Sequence, residues 1–185
     1  MSLTKTPLCE FGKKAFNFNL KSTENKLITL NDIKGEKGTL IMFICNHCPY
    51  VKAVIKDIKK DTRELHKVGI NSVAIMSNDT QNYQEDSFEN MKIFARENDF
   101  TFPYLIDETQ EIAKIYNAVC TPDFFGYNNN LELQYRGRIR ELKNLKAVNN
   151  EESDLLKAMK LIEKTGKGPE NQSPSMGCNI KWFNK

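Results

Sequence analysis

The sequence predicts an α/β fold in which a central mixed β-sheet is flanked by helices. Residues 39–44 are almost continuously apolar, which is typical of a strand that is buried on both faces of a sheet. Apolar residues then recur at helical spacing from Val51 to Leu65, and a second buried run follows at 70–76. A strand, a helix and a strand in this order predict a parallel pair joined by a right-handed crossover.

The remaining elements follow from shorter patterns. Residues 16–20 and 26–30 alternate apolar and polar positions around a polar turn, which indicates a short antiparallel pair. Residues 77–86 are polar and lack periodicity, so we expect an exposed loop there. We further predict helices at about 87–98, at 108–117 with Asp107 as its N-cap, and at 151–164, together with a strand at 102–106 and a hairpin of 123–127 with 131–135.

The length of 185 residues favours a single domain. We assign residues 1–164 to that domain and residues 165–185 to a C-terminal tail packed on or near it. The first ten residues of the tail are rich in Gly, Pro, Lys and Gln, as in a linker. The tail then ends in a short apolar cluster around Cys178.

Composition narrows the class of protein. Charged residues make up 28% of the chain, both signs are interleaved, and the net charge is +3, which argues against nucleic acid or an anionic membrane as partner. No apolar run approaches the length of a membrane span, and the N-terminal residues lack the apolar core of a secretory signal. We therefore expect a cytoplasmic protein, in which lasting structural disulfides are rare. Five cysteines also exclude complete pairing within one chain.

Cys45 and Cys48 are the residues that carry chemistry. They lie three positions apart, between the strand predicted at 39–44 and a helix that opens with Pro49, a residue suited to a first helical turn. The N–H groups and dipole of a helix N-terminus stabilise a negatively charged sulfur, and a second thiol one turn away lies within its reach. His47 lies between the two cysteines and would favour the thiolate further. The pattern predicts a thiol–disulfide redox pair.

Four segments extend this interpretation over most of the chain: FICNHCPYV at 43–51, TPDFF at 121–125, YRGRI at 135–139 and PSMGCNIKW at 174–182. Together they resemble the thioredoxin-fold redoxins, more narrowly the alkyl-hydroperoxide-reductase/thiol-specific-antioxidant-like proteins. The resemblance implies a thioredoxin-like fold with an N-terminal strand extension and a C-terminal tail.

The same resemblance assigns roles to residues. It implies that Cys45 is the attacking thiol, that Cys48 is the resolving thiol, and that Pro122, preceded by Thr121, is a cis-proline that faces them. It implies no cofactor and no metal. In one respect the chain departs from the thioredoxin pattern, because Thr39 occupies the position of the buried acid that accepts the proton of the resolving thiol.

The other cysteines allow two interpretations each. Cys120 precedes Thr121 and is either a redox partner or a small buried residue. Cys178 either resolves Cys45 from a mobile tail or packs with its apolar neighbours. Cys9 has no partner signal, and we expect it to be inert.

Three other functions stay open beside disulfide exchange. A peroxidase is one, although the peroxiredoxin pattern P-x-x-x-T-x-x-C fits neither cysteine of the pair, and Arg136 and Arg138 would have to support the anionic substrate. A copper or zinc module using Cys45, His47 and Cys48 is another, and an inactive interaction protein is the last. For exchange we expect a disulfide-bearing protein or a small thiol or peroxide as substrate, and an external dithiol such as a thioredoxin or glutathione system as reductant.

Overall fold

A seven-stranded mixed sheet is at the centre of the computed structural model, which describes residues 3–183. The strand Gly38–Phe43 pairs in parallel with one neighbour and antiparallel with the other. This confirms the predicted mixed sheet. From one edge to the other, the strands are β3 (Leu27–Thr29), β2 (Asn19–Ser22), β6 (Tyr104–Ile106), β5 (Ile70–Met76), β4 (Gly38–Phe43), β8 (Asp123–Asn128) and β9 (Leu133–Arg136).

Helices cover both faces of this sheet. Leu40 and Met42 of β4 point into one apolar cluster, which includes residues of α2, α3 and α5, as bounded below. Ile41 and Phe43 point into a second cluster with residues of α1 and α4. All four side chains are buried, as the continuous apolar run predicts. The helices are α1 (Leu30–Ile33), α2 (Pro49–Lys67), α3 (Phe88–Glu97), α4 (Glu111–Ile115) and α5 (Asp154–Thr165).

A second, smaller sheet lies beside the first and joins both ends of the described chain. Its three strands run in the order β1 (Leu3–Lys5), β12 (Met176–Asn179) and β7 (Cys120–Thr121), with antiparallel pairing throughout. A separate hairpin is formed by β10 (Leu142–Lys143) and β11 (Lys146–Ala147). The sequence patterns predict none of these short strands. Within residues 3–183, no helix combines the length and apolar character needed to cross a bilayer.

The prediction of an exposed loop at residues 77–86 is right only in part. Gln81, Asn82, Gln84 and Glu85 are exposed, whereas Ser77, Asn78, Asp79 and Asp86 are buried, and the segment ends in a 3₁₀ turn, Gln84–Asp86. The buried polar side chains hydrogen-bond inside the protein. Asp86, for example, accepts hydrogen bonds from the backbone of Asn46 and from the side chain of Asn78.

Two predicted boundaries also change. The first strand of the antiparallel pair is β2, which lies three residues after the position predicted at 16–20. Asp107 is not the N-cap of α4, since Gln110 holds that position. Asp107 is buried, and its carboxylate accepts the Ala113 N–H and the Ser77 hydroxyl, each at 2.9 Å. It therefore stabilises the helix from inside the core.

Candidate active site

The two cysteines lie where β4 leads into α2. Cys48 is the N-cap residue of α2, and Pro49 is its first residue. The structure describes the dithiol form, since none of the five cysteines, all of which fall within residues 3–183, is part of a disulfide. Cys45 and Cys48 are buried, with exposed fractions of 1% and 0%. A substrate can therefore reach either sulfur only when the covering residues move.

Thr121 contacts both sulfurs. Cys45 Sγ lies 3.3 Å from the Thr121 hydroxyl, and Cys48 Sγ lies 3.1 Å from the Thr121 carbonyl oxygen, to which the thiol can donate. The Thr121–Pro122 peptide bond is cis, as the resemblance implies. Thr121 itself is held by β7, next to the C-terminal strand β12.

The surroundings of the two thiols shift their pKa values in opposite directions. The pKa of Cys48 is lowered to about 5, first because the Cys45 thiol donates a hydrogen bond to it, while the Thr121 side chain and the Val51 N–H in the first turn of α2 act in the same direction. The pKa of Cys45 is raised because it donates that hydrogen bond, because it is buried, and because the Asp86 carboxylate is close. The shifts thus favour Cys48 as the more acidic thiol of the pair.

This distribution differs from the expectation that the helix N-terminus and His47 would make Cys45 the acidic thiol. Cys45 precedes the N-cap, so the first turn of α2 acts on Cys48 instead. The negative charge of Asp86 further disfavours a thiolate at Cys45. Which of the two sulfurs attacks a substrate is a separate question, and the role assigned to Cys45 stays a prediction.

His47 forms a buried ion pair with Asp86. Its Nδ1 lies 2.7 Å from Asp86 Oδ2, and its ring stacks on Tyr83 with 5.7 Å between ring centres. The hydrogen bond to the Asp86 carboxylate raises the pKa of His47 against the opposing effect of burial. Nε2 is buried and has no hydrogen-bond partner in the part of the chain that the structure describes. Asp86 therefore favours the protonated form of His47.

Asp86 is a residue of the candidate site that the sequence patterns did not identify. Besides His47 it accepts hydrogen bonds from the Asn46 and His47 backbone N–H groups and from Asn78 Nδ2. Burial raises its pKa, but the hydrogen bonds from His47, Asn78 and the backbone outweigh burial and lower it. Asp86 lies 38 residues after Cys48 in a segment without periodicity, so no local pattern marks it.

The same residues define the candidate metal ligands. In residues 3–183 one set of three such side chains converges, with the ligand atoms of Cys45, His47 and Asp86 within 4.8 Å of one another. Both Asp86 oxygens already accept hydrogen bonds, and His47 Nδ1 is one of the donors. A metal would have to replace these bonds, and the set provides three ligands where zinc usually takes four.

The three other cysteines lie in different surroundings. Cys178 of β12 is buried, and its thiol shares a hydrogen bond with Cys48. Cys120 is buried and its thiol donates to the Pro122 carbonyl oxygen at 3.6 Å, while burial raises its pKa. Cys9 is half-buried, and burial raises its pKa to about 11. Cys178 is therefore the cysteine that the fold brings to the pair.

Thr39 and Arg136 have structural partners. The Thr39 hydroxyl accepts the Gly35 N–H at 3.1 Å, in a fully buried position. Arg136 forms a buried ion pair with Asp123 at 2.9 Å and donates to the Asn117 carbonyl at 2.7 Å. Arg138 pairs with Asp154 at 2.7 Å. Arg136 is therefore not the anion-binding side chain that the peroxidase alternative needs.

Comparison with known proteins gives a family model and several relatives. The model described as the AhpC/TSA family matches residues 11–142. Among curated proteins, the thiol-disulfide oxidoreductase ResA of Bacillus thuringiensis subsp. konkukian is 29% identical over 122 residues. That match covers 66% of this chain and 66% of the relative, so the chain spans about two thirds of the length of the curated relatives it matches.

Two solved structures show how far the similarity of fold extends. The crystal structure of an uncharacterized conserved protein from Geobacillus kaustophilus has a TM-score of 0.92 and 39% identity, over 100% of this chain and 98% of that one. The thioredoxin domain of a thiol-disulfide oxidoreductase from Bacteroides vulgatus has a TM-score of 0.58 over 72% of this chain and 89% of that one. At 15% identity this second match shows the fold alone, which is that of thioredoxin.

Proposed function

The chain belongs to the AhpC/TSA family, and we propose that it is a thiol–disulfide oxidoreductase whose redox pair is Cys45 and Cys48. One observation carries the proposal. Both sulfurs lie at the junction of β4 and α2 and contact Thr121, the residue before a cis-proline.

The contacts of Thr121 support the ionisation of Cys45 when substrate arrives. If the proton moves from Cys45 to Cys48, the Cys48 thiol donates to the Thr121 carbonyl oxygen, 3.1 Å away. The Thr121 hydroxyl, 3.3 Å from Cys45 Sγ, then donates to the new thiolate. Cys48 is thus the proton acceptor for Cys45, and the buried acid that Thr39 replaces is not needed for this step.

The exchange itself then runs in two steps. Cys45 thiolate attacks one sulfur of a substrate disulfide, so that a mixed disulfide forms and the other substrate sulfur leaves as a thiolate. We assign His47 as the donor of the proton that this leaving group takes up, because a ring nitrogen lies within 4.8 Å of Cys45 Sγ. Cys48 Sγ next attacks Cys45 Sγ, its proton passes to the departing second substrate sulfur, and the Cys45–Cys48 disulfide remains for an external dithiol to reduce.

A cavity of about 280 Å³ supports an approach for the substrate. Pro122 and Tyr50 line it, and so does Met176 of β12. The guanidinium groups of Arg138 and Arg140 also line the cavity. Each is paired with a carboxylate, that of Asp154 at 2.7 Å and that of Asp57 at 2.9 Å. The cavity therefore presents a mainly apolar wall beside the residue that follows Thr121, suited to a polypeptide or small molecule that carries a disulfide.

The other functions rank lower for physical reasons. A peroxidase ranks lower because the peroxiredoxin pattern P-x-x-x-T-x-x-C fits neither cysteine of the pair, and Arg136 is already paired with Asp123. A metal module would have to break the hydrogen bonds of Asp86 and His47. The cytoplasmic location and a thioredoxin or glutathione system as reductant stay predictions.

Reduction of insulin disulfides by the protein in the presence of a dithiol tests the proposal. We expect the wild type to accelerate reduction, Cys45→Ser and Cys48→Ser to lose the acceleration, and Cys9→Ser to keep it. The same four proteins are then given hydrogen peroxide with the same dithiol. Peroxide consumption that depends on Cys45, without insulin reduction, would replace exchange with peroxidase activity.

A further inference from the structure

A third sulfur lies at the redox pair. Cys178 of β12 is directly opposite Thr121 of β7 in the antiparallel register. Its thiol hydrogen-bonds to Cys48, which also hydrogen-bonds to Cys45. Cys48 is therefore the middle member of a row of three sulfurs that comes from two distant parts of the sequence.

The strand that carries Cys178 is held firmly in place. It pairs with β1 on one side and β7 on the other, and the Ser175 hydroxyl just before it donates to the Pro122 carbonyl at 2.7 Å. At Gly177, an added Cβ would lie 2.0 Å from the Thr121 carbonyl oxygen. Cys178 is 4% exposed. The sequence allows either a thiol on a mobile tail or one packed among its apolar neighbours, and the structure shows a packed thiol.

Cys120 is the other candidate for a third redox thiol, and its geometry is different. It precedes Thr121 on β7, opposite Asn179. Its thiol donates to the Pro122 carbonyl oxygen. The charge of Cys48 also raises the pKa of Cys120, but a hydrogen bond to Cys48 is found for Cys178. This contact distinguishes Cys178 from Cys120.

We propose that Cys178 is a third redox thiol, which attacks Cys48 in the Cys45–Cys48 disulfide and forms a Cys48–Cys178 disulfide in its place. The inference rests on the proposed function, which supplies the first disulfide. In the step, the Cys178 thiolate attacks Cys48 Sγ. The Sγ–Sγ bond between residues 48 and 178 forms, the bond between residues 45 and 48 breaks, and Cys45 leaves as a thiolate.

The step needs no further oxidant. One disulfide is exchanged for another, and the proton lost by Cys178 ends on Cys45, so the number of electrons in the protein is unchanged. The product has a reduced Cys45, while β12 is covalently tied to the start of α2. The protein thus acquires a second oxidised form in which the tail cannot move away from the site.

The charge of Cys48 also acts on Cys178. In the dithiol form, burial comes first among the causes that raise the pKa of Cys178 to about 12, and the hydrogen bond to Cys48 and the charge of Cys48 come next. Formation of the Cys45–Cys48 disulfide removes that charge, while Lys181, which lowers the pKa, stays in place. Cys178 therefore becomes easier to ionise when there is a disulfide for it to attack.

Disulfide mapping tests the proposal. The Cys45→Ser variant, which keeps four of the five cysteines (5 − 1), is treated with diamide, quenched in acid, alkylated and digested. We expect a monomer in which two thiols are lost and the peptides of Cys48 and Cys178 are joined. The double variant Cys45→Ser/Cys178→Ser should lose no free thiols. The double variant Cys45→Ser/Cys120→Ser should lose two and give the same joined peptides as Cys45→Ser. A Cys48 that stays reduced, pairs with Cys120 or crosslinks two molecules overturns the proposal.

The wild type provides the second measurement and needs no variant to fold. After it has reduced insulin without added dithiol, acid-quenched protein should contain both the Cys45–Cys48 and the Cys48–Cys178 peptides. If only the Cys45–Cys48 peptide is detected, the role of Cys178 is wrong and the proposed function is unaffected. If insulin is not reduced at all, the proposed function fails, and the diamide experiment alone decides whether the third thiol can close on Cys48.

Discussion

His47 Nδ1 lies 2.7 Å from Asp86 Oδ2, inside the protein and beside the reactive thiols. Because the carboxylate raises the pKa of His47 while burial lowers it, Asp86→Asn should lower that pKa, leaving burial to dominate. A titration of the two histidine ring signals by NMR measures this effect, with His66 as an internal reference.

The matched control for that experiment is Asp79→Asn. Asp79 is a buried carboxylate of the same segment, but its partners are Gln81 and Asn82. Its replacement should leave the His47 pKa unchanged. An unchanged pKa in Asp86→Asn as well would mean that the ion pair does not set the protonation of His47.

The hydrogen bond between the two thiols gives a prediction about acidity. Cys45→Ala removes the largest single cause of the low pKa of Cys48. We expect that pKa to rise from about 5 toward the ordinary thiol value of roughly 8.5. Thiolate absorbance at 240 nm as a function of pH measures the change, and Cys9→Ala should leave the lowest step where it is. If the lowest thiolate titration step of Cys45→Ala stays near its wild-type pH, the Cys45 hydrogen bond does not set the acidity of Cys48.

The packing of the C-terminal strand β12 against β7 gives a prediction about the rate at which the two thiols are alkylated. In Gly177→Ala the new methyl group would overlap the Thr121 carbonyl, so β12 should separate from β7 more often. We expect Cys45 and Cys48 to be alkylated at least about tenfold faster, the effect of ~1.4 kcal/mol of lost docking energy. Met176→Ala, next to it on the same strand and 39% exposed, should react nearly as the wild type does.

Mass spectrometry of the alkylated peptides separates this local effect from general unfolding. If Gly177→Ala accelerates alkylation of Cys9 as strongly as that of the pair, the substitution has destabilised the whole domain. Equal rates in variant and wild type would show that β12 does not limit access to the sulfurs.

Asp61 of α2 makes a prediction about stability and pH. Burial raises its pKa from the ordinary value of 3.8 to about 6, although the Ser153 hydroxyl donates to it at 2.5 Å. Between these two values the folded protein binds more protons than the unfolded chain, so this group makes the free energy of unfolding fall as pH rises.

Asp61→Asn removes that titration while an amide oxygen can still accept from Ser153. Relative to the wild type, the variant should gain stability between pH 4 and pH 7, by up to ~3 kcal/mol at 1.36 kcal/mol per pKa unit. Urea unfolding at both pH values measures the difference. A variant that gains nothing as pH rises would show that Asp61 is ionised without cost in the folded protein.

The strands and the helix that carry the two cysteines can be predicted from local sequence patterns. The apolar run of β4, the helical spacing of α2 and the buried run of β5 each report burial over consecutive residues, so local pattern is enough to predict them. The position of Cys45 and Cys48 between strand and helix follows from the same local signals.

The pKa values of the two thiols and the residues that surround them depend on the tertiary structure. Asp86, Thr121 and Cys178 reach the pair from 38, 73 and 130 positions beyond Cys48, and no periodicity connects residues so far apart. The tail strand is too short for alternation to identify, and it exists because β1 and β7 offer it backbone partners. The pKa of a thiol depends on every charge and hydrogen bond within a few ångströms, so it was fixed when these distant segments packed together.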